Sequence, residues 1–180
     1  MSIRQKIKPE EFLLTPCNGS HLDAICALQE EAFLHLTNPD LLRRNPRETL
    51  AACLQAPHHT LGAFHEGRLV AFAMLFDGGN TAENIGKDIG MAEQDLDTVM
   101  NMKLVIVSPS FWGNGLQVRL MLALEEVAAA RGKRLLCGTA DPANVYSCRN
   151  FLKAGYTFHS RKQKYGGLVR DIYCKEIKKA

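Results

Sequence analysis

The chain has 180 residues, 46% of them hydrophobic and 23% charged, which is ordinary for one globular domain with a sizeable core. The net charge of +3 is too small to indicate nucleic-acid binding, and no apolar run reaches the roughly 20 residues that cross a bilayer. No apolar signal core follows the charged N-terminus, so we expect a cytoplasmic protein rather than an exported one.

Apolar spacing and turn residues predict a series of strands and helices within one domain over residues 1–180, without repeats or linkers. Ser20 is the expected N-cap of the first helix, and Gly132 is expected to end the third. In chain order the predicted elements are a strand at 10–16, helices at 20–33 and 46–57, strands at 60–64, 69–76 and 98–107, a helix at 116–131, a strand at 134–139, a helix at 144–153, and strands at 156–161 and 168–175. This order predicts an α/β (α+β) fold, a mixed sheet with helices on both faces. Residues 77–98 are predicted to form a long loop with a short helix at most.

One segment carries the clearest chemical pattern. A buried strand ends at Val107, a turn rich in Gly follows, and a long helix begins at Leu116. The first amides of a helix have no intrahelical partners and lie at the positive end of its dipole. Because Gly113 and Gly115 lack a Cβ, an anion can approach these amides closely. The pattern predicts a diphosphate site made of backbone, although an ordinary Asn114-Gly115 turn is the alternative.

This segment resembles the central motif of the GNAT superfamily of acyl-CoA transferases. The family pattern is Arg or Gln, two residues, Gly, one residue, then Gly or Ala. In this chain Trp112 stands at the first position, Gly115 at the Gly position and Gln117 at the last. Pro109, the Gly113-Asn114-Gly115 turn and the helix are retained.

A second stretch, residues 141–156, resembles the family signature of Asn, two residues, Ser or Ala, then an aromatic residue and Gly-Phe. Asn144, Ser147 and Phe151 are spaced i, i+3 and i+7 and therefore share one helix face, which in the family lines the pantetheine arm. The alternative is an ordinary helix that Asn144 caps and Gly155 ends.

The resemblance implies a mixed, mostly antiparallel seven-stranded sheet and an N-acetyltransferase. Such an enzyme transfers the acetyl group of acetyl-CoA by direct attack to an amine of a small molecule or peptide. A non-catalytic CoA-binding or regulatory module is the alternative, whereas a nucleotide-binding protein is disfavoured because no Walker Lys-Ser/Thr follows the glycines. The implied cofactor-binding residues are Val105, Ile106, Val107, Trp112, Gly113, Asn114, Gly115, Leu116, Gln117, Asn144, Ser147, Arg149 and Phe151.

The catalytic residues follow less directly. The general acid of the family is usually a Tyr at the position of Phe151, and Phe cannot donate a proton. Tyr165, in the loop that lines the acceptor pocket in the family, is the main substitute, although it also fits a surface aromatic. Other routes remain open, namely Tyr146, Cys148 or departure of the thiolate without a donor. Asp97, with Asp95 beside it, is the candidate base, acting through water.

The remaining features concern charge and cysteine. Residues 158–180 are basic and residues 82–98 acidic, which fits either two solvated surfaces or a basic region near cofactor phosphates and an acidic region that attracts a cationic acceptor. The six cysteines are scattered without metal-ligand spacing, so we expect reduced thiols and no metal. Exposed final strands in such sheets commonly pair, which leaves a homodimer open.

Overall fold

The computed structural model describes residues 6–178, so parts of the charged N-terminus and of the basic C-terminal segment lie outside the described residues. The helices are α1 Leu22–Leu34, α2 Arg47–Ala52, α3 Ile85–Asp88, α4 Leu116–Ala130 and α5 Val145–Lys153. The strands are β1 Leu13–Pro16, β2 His59–His65, β3 Arg68–Phe76, β4 Val99–Val107, β5 Leu135–Ala140, β6 Thr157–Lys164 and β7 Leu168–Glu176. They form one seven-stranded sheet in the order β1-β2-β3-β4-β5-β7-β6. The mixed, mostly antiparallel sheet expected from the sequence is thereby confirmed.

Differences from the predicted elements are confined to their ends. The first strand starts at Leu13 because Pro9–Glu11 forms a 3-10 turn before it. Ser20 is not the N-cap of α1: Asn18 caps a 3-10 turn that leads into the helix, and its side chain accepts the backbone N–H of Ser20 at 3.0 Å. The Gly132 prediction is confirmed, because Gly132 has a φ of 71° just after α4.

The sheet has an apolar core on each face. β3 supplies both, because alternate residues of a strand point to opposite sides. On one face, Ala71, Ala73 and Leu75 pack with α4 and α5. Phe72 and Met74 pack with α1 and α2 on the other face. Burial on both faces explains why β3 reads as a continuous apolar run rather than an alternating one.

β4 and β5 form the only parallel pair among the described strands, and they pair along only part of their length. Their register covers Val99–Met102 of β4 against Leu135–Gly138 of β5. After Met102 the strands diverge, while β4 remains paired with β3 as far as Val107. The sheet is therefore open on one side of the second half of β4. Within residues 6–178, no helix combines the length and apolarity that spanning a membrane requires.

Candidate active site

A cleft occupies the opening between β4 and β5. Its walls come from the second half of β4, the end of β5, the starts of α4 and α5, the loop between α1 and α2, and the β6–β7 turn. The cavity measures about 110 Å³. Parallel strands joined through a helix present their carboxyl ends at one edge, which is where open α/β sheets bind ligands. The two predicted motifs therefore meet at this edge.

Backbone groups of β4 are open toward the cleft. The N–H of Ser108 donates to the carbonyl of Val70 on β3 at 2.8 Å. Because bonded and non-bonded pairs alternate along an antiparallel ladder, Ile106 also bonds to β3, whereas Val105 and Val107 point their N–H and C=O groups toward the opening. Of these groups, the Val107 carbonyl is occupied, because it accepts the indole N–H of Trp112 at 2.9 Å. Val105 is therefore the residue whose N–H and C=O both remain available to a ligand.

The Gly-rich turn leaves the start of α4 accessible. Gly115 has a φ of 72°, and no side chain of residues 6–178 caps the helix there. A Cβ placed on Gly113 or Gly115 would meet no atom of these described residues within 4 Å. The Asn114 side chain accepts the backbone N–H of Ile7 at 3.0 Å and donates to the Phe111 carbonyl. Open space in front of uncapped amides fits a diphosphate.

The start of α5 completes this side of the cleft. Asn144 caps the helix, since its side chain accepts the backbone N–H of Ser147 at 3.1 Å, as the ordinary-helix alternative required. Both residues also line the cleft. Gln117, which replaces a small residue of the GNAT pattern, accepts the side-chain N–H of Asn150 at 2.8 Å. This bond ties the longer side chain to α5.

Phe151 is buried and forms the floor of the cleft. Its ring stacks on Tyr173 at 5.0 Å between centroids and lies edge-on to Tyr156 at 5.1 Å. A Cβ on Gly138 would lie 2.5 Å from the ring, so any larger residue at this point of β5 would force the ring or the strand to shift. The Tyr156 hydroxyl is buried and has no hydrogen-bond partner within residues 6–178, and burial raises the pKa of Tyr156 above its usual value.

An ion pair lies where β4 leaves β5. The Lys103 ammonium is 2.6 Å from the Glu83 carboxylate, and both residues line the cleft. The hydrogen bond from Lys103 lowers the pKa of the Glu83 carboxyl below its usual value. Glu83 is thus ionised at neutral pH, and about half of its side chain is exposed.

Tyr165 reaches the cleft from the turn between β6 and β7. Its hydroxyl lies 3.4 Å from Thr139 Oγ1 at the end of β5, and the Arg43 guanidinium lies 4.2 Å above its ring. Tyr165 and Gly166 both have positive φ, at 53° and 81°, as the central residues of a type I′ turn do. A left-handed tyrosine costs about 1–2 kcal/mol, which these contacts offset.

Several other predicted residues lie away from the cleft. The side chains of Ile106 and Leu116 are buried in the cores on the two faces of the sheet. Asp97 is exposed beyond the opposite end of β4 and does not line the cleft. It lies before the start of β4, and the six steps along the strand from Val99 to Val105 alone span about 20 Å. Asp97 is therefore too far away to act as base, and Asp95 beside it pairs with Arg134 at 2.9 Å. Arg149 is exposed on α5 outside the cleft lining.

The other candidate general acids, Tyr146 and Cys148, do not line the cleft. Tyr146 is 73% exposed and does not line the cleft. Cys148 is partly buried, and its thiol donates to the Asp141 carbonyl at 3.5 Å. Tyr165 is therefore the one candidate acid of the sequence analysis that the described structure places in the cleft.

The acidic and basic segments neutralise each other in part. Lys164 of β6 pairs with Asp88 of α3, and other cations of the basic segment pair with Asp171, Asp141 and Glu125. These ion pairs favour the interpretation of the two charged segments as solvated surfaces over the interpretation in which their charges attract the cofactor and the acceptor. All six cysteines are free, and residues 6–178 contain no group of three or more His, Cys, Asp or Glu side chains arranged around a metal position.

An acyl-CoA transferase is the class that this fold and cleft define. The model of the acetyltransferase (GNAT) family matches residues 22–156, so the chain belongs to that family. A sequence search of curated proteins gives no match.

Solved structures with the same fold include three acetyltransferases. The yncA acetyltransferase from Salmonella typhimurium with its cofactor acetyl-CoA is 18% identical, with a TM-score of 0.71 over 94% of this chain and 95% of that one. The paia N-acetyltransferase from Thermoplasma acidophilum in complex with coenzyme A is 13% identical, with a TM-score of 0.67 over 92% and 98%. A ribosomal-protein-alanine N-acetyltransferase from Brucella melitensis is 18% identical, with a TM-score of 0.69 over 91% and 99%. At these identities the likeness shows the fold.

Three charged residues of the cleft lining were not predicted from the sequence as site residues. Arg43 belongs to a segment without helical or strand periodicity, and Lys103 lies inside the predicted strand 98–107. Glu83 was noted only as part of an acidic segment. A charged residue on an apolar strand, as Lys103 is, was the one signal that could have marked this wall.

Proposed function

We propose that the protein is an N-acetyltransferase that takes the acetyl group of acetyl-CoA and transfers it to an amine. The observation that supports this most is the juxtaposition of the uncapped start of α4, the open strand edge at Val105 and the hydroxyl of Tyr165 around one cleft. Along the cleft, the start of α4 would bind the diphosphate, the strand edge at Val105 the pantetheine arm, and Tyr165 would lie beside the thioester.

The turn of Gly113 to Gly115 and the first amides of α4 hold the diphosphate. Both glycines leave space where the phosphates would lie, and the helix dipole favours their charge. Val105 offers its N–H and C=O to the amide groups of the pantetheine arm, as one strand does to another. Asn144, Ser147 and Phe151 form the wall opposite β4.

Bound acetyl-CoA supplies the acetyl group as an activated thioester. An alkylamine with a pKa near 10.4 must lose a proton before it can attack by the direct route. Glu83 is the ionised carboxylate on this wall whose exposed side chain can accept that proton through water. The Tyr165 hydroxyl carries the proton that the departing sulfur takes up, because Phe151 has none to give.

Isothermal titration with acetyl-CoA, followed by a thiol-release assay against a panel of small amines and peptide N-termini, tests this function. We expect binding and amine-dependent release of free CoA. Failure to bind at high micromolar cofactor contradicts the proposal.

A non-catalytic CoA-binding module remains the second candidate, and Phe151 at the position of the family tyrosine favours it. Binding of acetyl-CoA without turnover on any amine is its expected signature. Turnover that disappears in Tyr165→Phe excludes it.

A further inference from the structure

The charges that line the cleft leave one cation without an anionic partner. Lys103 is neutralised by Glu83 at 2.6 Å, and Arg170 by Asp141 at 2.8 Å. Arg43 is the remaining charged residue of the cleft lining. No oxygen within residues 6–178 accepts a hydrogen bond from its guanidinium, whose described contacts are the Tyr165 ring and the field of Glu83.

The guanidinium of Arg43 lies over the Tyr165 ring, with its central carbon 4.2 Å from the ring centroid. The N–H donors of a guanidinium lie in its plane and remain available when the face is stacked. A carboxylate matches this fork with two parallel hydrogen bonds.

The loop that carries Arg43 is anchored on both sides. Before it, the carbonyl of Asp40 accepts a hydrogen bond at 2.6 Å from the buried Arg170. After it, Asn45 and Gln29 exchange two hydrogen bonds at 2.9 Å, both in the protein interior. Arg43 is therefore held at the cleft by buried contacts rather than carried on a free surface loop.

We infer that the acceptor is a small amino acid whose carboxylate binds Arg43 while its amine faces the opening between β4 and β5. This inference rests on the proposed acetyltransferase function and adds the substrate class. The cleft of about 110 Å³ also has to take the end of the cofactor arm, so the room left beside Arg43 suits a small acceptor. Arg43 therefore favours a negative group on the acceptor. The acidic segment 82–98 suggested a cationic acceptor instead, but its Asp88 and Asp95 are already paired with cations of the protein.

Matched acceptors test the inference. Thiol release from acetyl-CoA is measured for the twenty common amino acids and for the carboxamide of each, in which the amine is kept and the negative charge is removed. The variants are Arg43→Gln and, as control, Arg44→Gln, whose exposed side chain pairs with Glu30 outside the cleft. Acetyl-CoA binding is titrated for every variant.

We expect at least one amino acid to be preferred over its carboxamide. Arg43→Gln should lower kcat/KM for that acid by about 10- to 100-fold more than for its carboxamide, the value of a hydrogen bond to a charged group, since the carboxamide loses only the contact of Arg43 with Tyr165. Arg44→Gln should change neither. Acetylation of carboxamides or peptides in preference to every acid overturns the inference, as does an equal loss for both acceptors in Arg43→Gln. Absence of acetyl-CoA binding by the unaltered protein instead overturns the proposed function itself.

Discussion

Replacing Gly115 with alanine tests whether the turn before α4 holds the diphosphate. Gly115 has a φ of 72°, and its added Cβ would enter the open space in front of the helix amides. Gly132 offers a matched control at the other end of the same helix. Its φ is 71°, and a Cβ there also meets nothing within 4 Å. The two substitutions therefore strain the backbone equally and differ only in what lies in front of them.

The expected magnitudes separate folding from binding. An alanine in the left-handed region costs about 1–2 kcal/mol, so both variants should lose about that much free energy of unfolding. Displacing the phosphates from Gly115 also weakens a charge-assisted hydrogen bond worth about 1.5–3 kcal/mol. The Kd for CoA should thus rise about 10- to 100-fold in Gly115→Ala and stay unchanged in Gly132→Ala.

Urea denaturation gives the free energy of unfolding, and isothermal titration gives the Kd for CoA. Wild-type affinity in Gly115→Ala would falsify the diphosphate assignment. An equal loss of affinity in Gly132→Ala would show that backbone strain, rather than a blocked anion site, causes the effect.

Three further substitutions test other parts of the cleft. Tyr165→Phe should lower kcat by about 100-fold or more without changing the Kd for acetyl-CoA, because it removes a general acid but no binding surface. Lys103→Met should raise the pKa of Glu83, so the acid limb of the kcat/KM profile moves to higher pH, since the ionised carboxylate is then lost sooner as pH falls. Gly138→Ala should cost about 1–3 kcal/mol of unfolding free energy in urea, because the methyl group would lie 2.5 Å from the Phe151 ring.

Each of these substitutions has an outcome that contradicts its reasoning. Unchanged kcat in Tyr165→Phe removes the hydroxyl from the proton transfer. An acid limb that does not move in Lys103→Met assigns the limb to a group other than Glu83. Full stability of Gly138→Ala shows that the Phe151 ring can move aside.

The fold followed from the sequence wherever apolar periodicity was strong. α4 and the run of β3 have unbroken patterns, and Gly132 marks an end that backbone conformation requires. Short capped segments were harder. Ser20 resembles an N-cap, but Asn18 lies nearby with the same capping chemistry, and it is Asn18 that receives the hydrogen bond.

The two sides of the candidate site also differ in how well the sequence predicted them. The cofactor side is built from segments close together in sequence, so the turn at Gly115 and the face of Asn144 were both identified. The acceptor side joins residues far apart in the chain, since Arg43, Glu83 and Tyr165 meet only because the sheet order brings three loops to one edge. Local periodicity carries no information about such meetings, which is why Asp97 was chosen over Glu83.

The opening between β4 and β5 gives the protein a free strand edge in its interior, where most sheets have none. With no neighbour on that side, the amide proton of Val105 should exchange with deuterated solvent much faster than those of β3. A ligand with amides of its own would take the place of the missing strand and slow that exchange. Isotope labelling of this single stretch of backbone would thus report occupancy directly, even for ligands that undergo no reaction.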